Sequence, residues 1–164
     1  MRRTARLGAV VALTLLAIPV LGLQAQAAES ERFTIISTGP GPATVIASGP
    51  ITGVGTETNN EQQNGQPFQS IFHLAKGDVY STVTPGIPDV SFSPRSCVTR
   101  IVETDTFVYT GGTGPYAGVT GSGTAAVRVT IVGARTGLTC ASPQTPPAAM
   151  VVVVQGTGTA NVPG

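Results

Sequence analysis

The sequence predicts an all-β protein, a single antiparallel β-barrel of about eight strands. Three observations carry this expectation. Apolar stretches are short, rich in Val, Ile and Thr, and bounded by Gly, Pro, Asn or Ser, which is how strands and their turns read. Helical periodicity is nearly absent after residue 27. Along one stretch, Ala125, Val127, Val129 and Ile131 fall on one face of a strand while Thr124, Arg128 and Thr130 fall on the other, the alternation of a half-buried strand.

The strands follow in order. Residues 32–38 and 43–48 are the first two, separated by Gly39-Pro40-Gly41-Pro42. Residues 51–58 form the third, with Gly53 and Gly55 as sites for a bulge or bend. A polar loop over 59–67 leads to 68–75 and 78–84, which read as a hairpin turning at Lys76-Gly77. Residues 85–94 read as irregular. Long strands are expected over 97–110 and 120–134, joined by the glycine-rich stretch 111–118, whose glycines reach the positive φ of a tight connection. A Pro-rich loop over 141–147 precedes the last strand, 148–162. The short connections favour a barrel over a sandwich. Met150-Val151-Val152-Val153-Val154 is apolar on both faces, so this segment is expected to be covered on both sides or to form an interface, and closure protects such a strand from templating aggregation.

The composition narrows the class further. Of 164 residues only 10% are charged, against about 25% in an average soluble domain. There are 21 Gly and 13 Pro but no Gly-X-Y repeat and no Ala/Glu/Lys/Leu/Arg-rich helical stock, which excludes collagen and coiled coils. Arg2, Arg3 and Arg6 precede an apolar run over 7–23, and Ala25-Gln26-Ala27 supplies a small-x-small cleavage pattern. Residues 1–27 therefore read as an export signal, cut after Ala27 to leave a barrel domain of 28–164. An uncleaved anchor is the rival reading. Its uncharged run is slightly short for a span of about 20 residues and is broken by Pro19. The mature part carries six Lys and Arg against eight Asp and Glu. No basic footprint for nucleic acid exists, and no run of like charge suggests a membrane surface once the signal is removed.

Cys97 and Cys140 are the two cysteines. In a secreted, extracytoplasmic chain they are expected to form one disulfide. A CxxC motif is missing and there is a single histidine, so a metal site lacks ligands.

The segment from Phe107 through Gly111-Gly112-Thr113-Gly114-Pro115-Tyr116-Ala117-Gly118 to Thr124 resembles the Gly-Gly-Thr-Gly-x-aromatic signature of dirigent proteins and allene oxide cyclases, which share an eight-stranded, lipocalin-like (calycin-shaped) barrel. Ala47 to Thr56 is similar to the early strand pair of secreted bacterial proteins of the allene oxide cyclase barrel-like type. The resemblance implies such a barrel. It further implies binding of apolar or phenolic small molecules and, in some relatives, the steering of a cyclisation or radical coupling. The matching motif is a structural turn, and no catalytic position of those families transfers with it.

Candidate chemistry is sparse. Glu103 and Asp105 share strand parity, which sets their side chains about 7 Å apart on one face, a spacing that suits an acid/base pair in a pocket. Ile101, Phe107 and Tyr109 share their face, and Val98, Val102 and Val108 lie opposite with Arg100, so parity alone does not say which face looks inward; a solvated outer face is the plainer expectation. Phe68, Phe72, Tyr80, Tyr109 and Tyr116 are candidates to line a ligand cavity, and equally the main rings available to fill a core. His73 has no identifiable partner and reads as an ordinary strand histidine. Ser122 sits in Thr120-Gly121-Ser122-Gly123-Thr124, which lacks the first glycine of a nucleophile elbow. Gly112 to Ala117 matches Gly-x-Gly-x-x-Ala, but a dinucleotide site needs a helix after that turn, and here Pro115 and a strand follow; no cofactor is expected. An eight-stranded barrel is either filled or holds one small ligand. Three functions therefore stand: a secreted barrel binding a small apolar or phenolic ligand without catalysis, a dirigent-like or cyclase-type enzyme using the lumen, and a surface protein that associates with itself.

Overall fold

A computed structural model describes residues 28–39, 41–60, 65–142 and 144–164. Residues 1–27, where the export signal is expected, Pro40, part of the polar loop and Pro143 lie outside the described residues. The strands are β1 (Glu29–Ser37), β2 (Ala43–Ser48), β3 (Gly53–Asn59), β4 (Phe68–Leu74), β5 (Gly77–Thr84), β6 (Asp89–Ser93), β7 (Val98–Gly112), β8 (Thr120–Val132), β9 (Arg135–Thr136), β10 (Thr139–Cys140) and β11 (Ala149–Asn161).

Eight of these close a barrel. β5, β4, β3, β2, β1, β11, β8 and β7 are hydrogen-bonded in that order, and β5 pairs back onto β7. Every pairing is antiparallel, and β1 meets β11 from Glu29↔Ala160 to Ser37↔Val152. β6 is the extra strand. It continues along the edge of β7 that β5 occupies, pairing with Val98 to Val102 where β5 pairs with Thr106 to Gly112.

Residues 85–94, expected to be irregular, thus contain a strand. The Val90 and Phe92 alternation was present but framed by Pro88 and Pro94, which remove backbone donors and limit the pairing to five residues. The same prolines blunt the one free edge left in the sheet. Two smaller corrections follow. The β4–β5 connection is the two-residue turn Ala75–Lys76, one position earlier than expected. Ile51 precedes β3 in a bend, fully buried, with its N–H donated to Glu31 Oε2 at 3.0 Å.

The long strand alternation holds. Val127 and Ala125 are buried while Arg128 and Thr124 are exposed. In β11, Val152 and Val154 face the lumen, whereas Val151 is 39% exposed on the outer wall, so that side of the segment is not covered within one chain.

The barrel has a closed end and an open end. At the closed end the glycine-rich motif folds into a three-residue 3₁₀ turn (Gly114–Tyr116) and inserts Tyr116, which is buried. The Tyr116 hydroxyl donates to Thr52 O at 3.0 Å, and Thr113 Oγ1 accepts the Asp78 N–H at 2.8 Å. Gly114 takes φ +57°, and a Cβ there would crowd Lys76 O at 2.7 Å. The motif is therefore a plug, and its Gly-x-Gly-x-x-Ala spelling opens a strand, not a helix.

Above the plug the lumen is filled by rings. Phe33 packs edge-on against Phe72 and Phe107 with centroids 5.0 and 5.2 Å apart, and Phe107 against Tyr109 at 5.2 Å. Their bulk is accommodated by glycines on the facing strands. Gly156 lies opposite Phe33 in the ladder, and a Cβ on it would overlap the ring; one on Gly123 would stand 2.7 Å from Phe107 Cζ. Gly156→Ala is accordingly expected to lower stability by about 1–3 kcal/mol through overpacking, read as a shifted urea midpoint at unchanged slope. An unchanged midpoint would show that Phe33 has room to move.

Candidate functional site

The half of the barrel above the ring layer is hollow. A cavity of about 540 Å³ opens toward the ends of β1, β3 and β5, floored by Phe33, Phe72 and Phe107. Its two walls differ in chemistry. β1, β8 and β11 contribute Ile35, Ala125, Val127, Val129, Val152 and Val154. β3, β4, β5 and β7 contribute Glu57, Ser70, Ser81, Glu103 and Asp105. The alternation of each strand sets this division, because each places every second residue inside.

Two of the carboxylates are held by neighbouring hydrogen-bond donors. Glu57 is buried, and its Oε1 accepts from Ser70 Oγ at 2.8 Å and Asn59 Nδ2 at 3.0 Å. Asp105 is 5% exposed and its Oδ1 accepts the Gly86 N–H at 2.9 Å. This bond falls where residues 85–88 interrupt the ladder between β5 and β6, so the side chain stands in for a missing strand partner. Burial raises the Asp105 pKa above the ordinary aspartate range, and the Gly86 hydrogen bond opposes that in part. Among the described residues, none that lines the cavity is Lys, Arg or His.

Glu103 and Asp105 both face the lumen, which overturns the outer-face expectation. Their face carries Phe107 and Tyr109, the rings that fill the barrel, while Val102 and Val108 are left 47% and 52% exposed outside. Of the ring candidates, Phe68 and Phe72 line the cavity. The other three do not. Tyr109 is buried below the floor, Tyr116 belongs to the plug, and Tyr80 alternates with inward-facing Val79 and Ser81 and so points to the outer wall.

His73 does have partners. Nδ1 is 3.0 Å from Asp78 Oδ1 and Nε2 is 2.9 Å from Thr58 Oγ1. His73 and Asp78 are 41% and 36% exposed, so the trio ties three strands together without the water-excluding surroundings that activate a nucleophile.

Glu31 was not singled out from the sequence and is the most unusual acid in the chain. It occupies the closed end beneath the ring layer, 1% exposed, with Oε2 bonded to Ile51 N and Oε1 buried without a hydrogen-bond partner. Burial pushes its pKa up to about 7. The neighbouring Tyr109 hydroxyl is likewise buried and unpartnered, and burial with the Glu31 charge pushes its ionisation upward.

The disulfide is formed. Cys97 and Cys140 are bonded with Cα atoms 5.5 Å apart. It pins the β9–β10 hairpin beside a second cavity of about 480 Å³ lined by Phe92, Thr99 and Ile131 at the open end. Among the described residues no helix is long and apolar enough to cross a membrane. Compared with protein-family models, curated proteins and solved structures, the chain gives no match.

Proposed function

We propose that the protein is an exported barrel of dirigent-like or allene oxide cyclase-like kind whose lumen binds one small molecule with an apolar body. The observation that carries this reading is the hollow upper half. A packed barrel of eight strands has no space to offer, whereas about 540 Å³ open to solvent, with one apolar wall and a few polar groups opposite, is the composition of a ligand pocket. The disulfide fits an oxidising compartment, as the leader-like residues 1–27 do.

Native mass spectrometry of protein purified without detergent is expected to show an excess mass that disappears on denaturation. N-phenylnaphthylamine, a neutral fluorescent probe, is expected to bind the emptied protein. Val129→Trp on the apolar wall is expected to weaken that binding by about tenfold, roughly 1.4 kcal/mol, with the far-UV spectrum unchanged. Absence of both a carried ligand and probe binding would remove the reading.

The orientation of β7 also favours a second reading, a cyclase-type enzyme. Two carboxylates on one strand face the same cavity, and burial raises the pKa of one of them, Asp105, which together make a usable acid/base set. Turnover of an unsaturated or phenolic substrate, abolished in Asp105→Asn while binding persists, would move the protein into that class.

A further inference from the structure

We infer that the ligand of the lumen is an organic cation, a protonated amine attached to an apolar body, seated with its nitrogen on the wall of β3 and β7. This rests on the reading of the lumen as a small-molecule site and specifies its ligand. The starting point is the cavity and the way its walls are divided, not the acids alone. Apolar side chains dominate the β1, β8 and β11 wall, and among the described residues every ionisable group of the lining sits on the other. A ligand that fills this space must therefore be amphipathic in the same sense.

The sign of its polar end follows from charge. Glu57, Glu103 and Asp105 line the cavity, and among the described residues no basic side chain does. Two of them are held in place by hydrogen bonds from uncharged donors. Glu57 accepts from a hydroxyl and an amide, and Asp105 accepts from a backbone N–H. Asp105 is 95% buried, and the one protein hydrogen bond that the structure shows to it comes from an uncharged donor. An anionic ligand would add a further negative charge to a half-enclosed space, where like charges repel more strongly than in water. A neutral ligand would bring no positive charge to the acidic wall. An ammonium group supplies both the opposite charge and several N–H donors, and charge-assisted bonds of this kind are stronger than neutral ones.

Size separates an organic cation from a bare ion. Among the described residues no group of three His, Cys, Asp or Glu is placed to hold a metal ion. The polar wall is spread over four strands, with neighbouring strands about 4.8 Å apart. The floor adds to the match. Phe33, Phe72 and Phe107 present ring surface to the space where the apolar body would rest, and aromatic rings attract cations as well as hydrocarbon.

The test compares three probes of one skeleton that differ only in the polar group: phenylbutylamine, phenylbutanol and phenylbutyrate. Calorimetric titration of the wild-type protein at low ionic strength and near neutral pH is expected to rank them in that order. The amine should bind about tenfold more tightly than the alcohol, and its advantage should shrink as salt is added. The paired substitution Glu57→Gln with Asp105→Asn is expected to narrow the amine-to-alcohol ratio to about threefold or less. The wild-type series decides the matter even if that variant does not fold. If the alcohol or the carboxylate binds as tightly as the amine, the cation is wrong and the lumen site stands. The same holds if none of the three binds while N-phenylnaphthylamine does. If neither the series nor the neutral probe binds, both readings fall together.

Discussion

Replacing both Cys97 and Cys140 with alanine is expected to lower the unfolding free energy by about 4 kcal/mol, the largest effect of any change considered. The bridge closes a loop with a sequence separation of 43, and the chain-entropy model assigns such a loop about 4 kcal/mol of restriction on the unfolded ensemble. Cys97 is also buried and holds a positive φ of 55°, a conformation that non-glycine residues enter at a cost. The bridge helps keep the chain in it. Net stabilities of domains lie at about 5–15 kcal/mol, so the variant should be marginal but recognisably folded. Urea unfolding of the oxidised wild type, the reduced wild type and the double variant checks this. Reduced wild type and double variant should share a midpoint well below that of the oxidised protein, with a steeper slope because the freed unfolded chain exposes more surface. Three coincident curves would mean that the bridge stabilises nothing and serves only to fasten the hairpin.

Glu31→Gln is expected to do the opposite and stabilise the protein, but only where the wild-type carboxylate is charged. With its folded-state pKa pushed up to about 7 from the usual 4.5, Glu31 keeps its proton in the folded state over a range where the unfolded chain has released it. Below about pH 4.5 both states are protonated and no penalty exists. Between about pH 4.5 and 7 the folded state binds more protons than the unfolded one, so stability falls with rising pH by about 1.4 kcal/mol per unit. Above about pH 7 the loss levels off near 3 kcal/mol. Glutamine removes the charge and keeps a carbonyl to accept the Ile51 N–H. Its stability should therefore match that of wild type in acid and exceed it by about 1–3 kcal/mol at about pH 8. Paired denaturation curves at the two ends of this range provide the check, and parallel profiles would show that Glu31 titrates in the folded protein as it does in the unfolded chain.

How far the sequence foretold this structure depends on what each strand carries. β2 and β8 were legible because their apolar residues sit on one parity and their polar residues on the other, and residues 43–48 match β2 at both ends. The acidic wall was not legible for the opposite reason. The inward positions of β3 are Gly53, Gly55 and Glu57, while Val54 stands 63% exposed outside. A strand that faces a hollow lumen has no obligation to point its apolar side chains inward, so alternation loses its sign there. β7 presents apolar side chains on both faces, and only ring volume, Phe107 and Tyr109 against Val102 and Val108, distinguishes the filled interior from the wall. Glu31 lies two residues from another glutamate, Glu29, in a polar stretch that gives no sign of burial. That it is buried depends on a bend twenty residues away that brings Ile51 over it, a contact that no local pattern encodes.

The pairing of Glu29 with Ala160 has a consequence for how the chain comes to be folded. A barrel sealed between its first and last strands cannot close until the last strand exists. While the polypeptide emerges from its N-terminus, β1 to β8 form as an open, curved sheet with β1 and β8 as bare edges, and such edges are templates for pairing with other chains. Sealing then brings together residues from opposite ends of the sequence, the kind of non-local step that makes all-β folding slow. A chain stopped before Ala149 would keep most of its strands and lose its only means of hiding their edges, so its fate would be aggregation and not a smaller barrel.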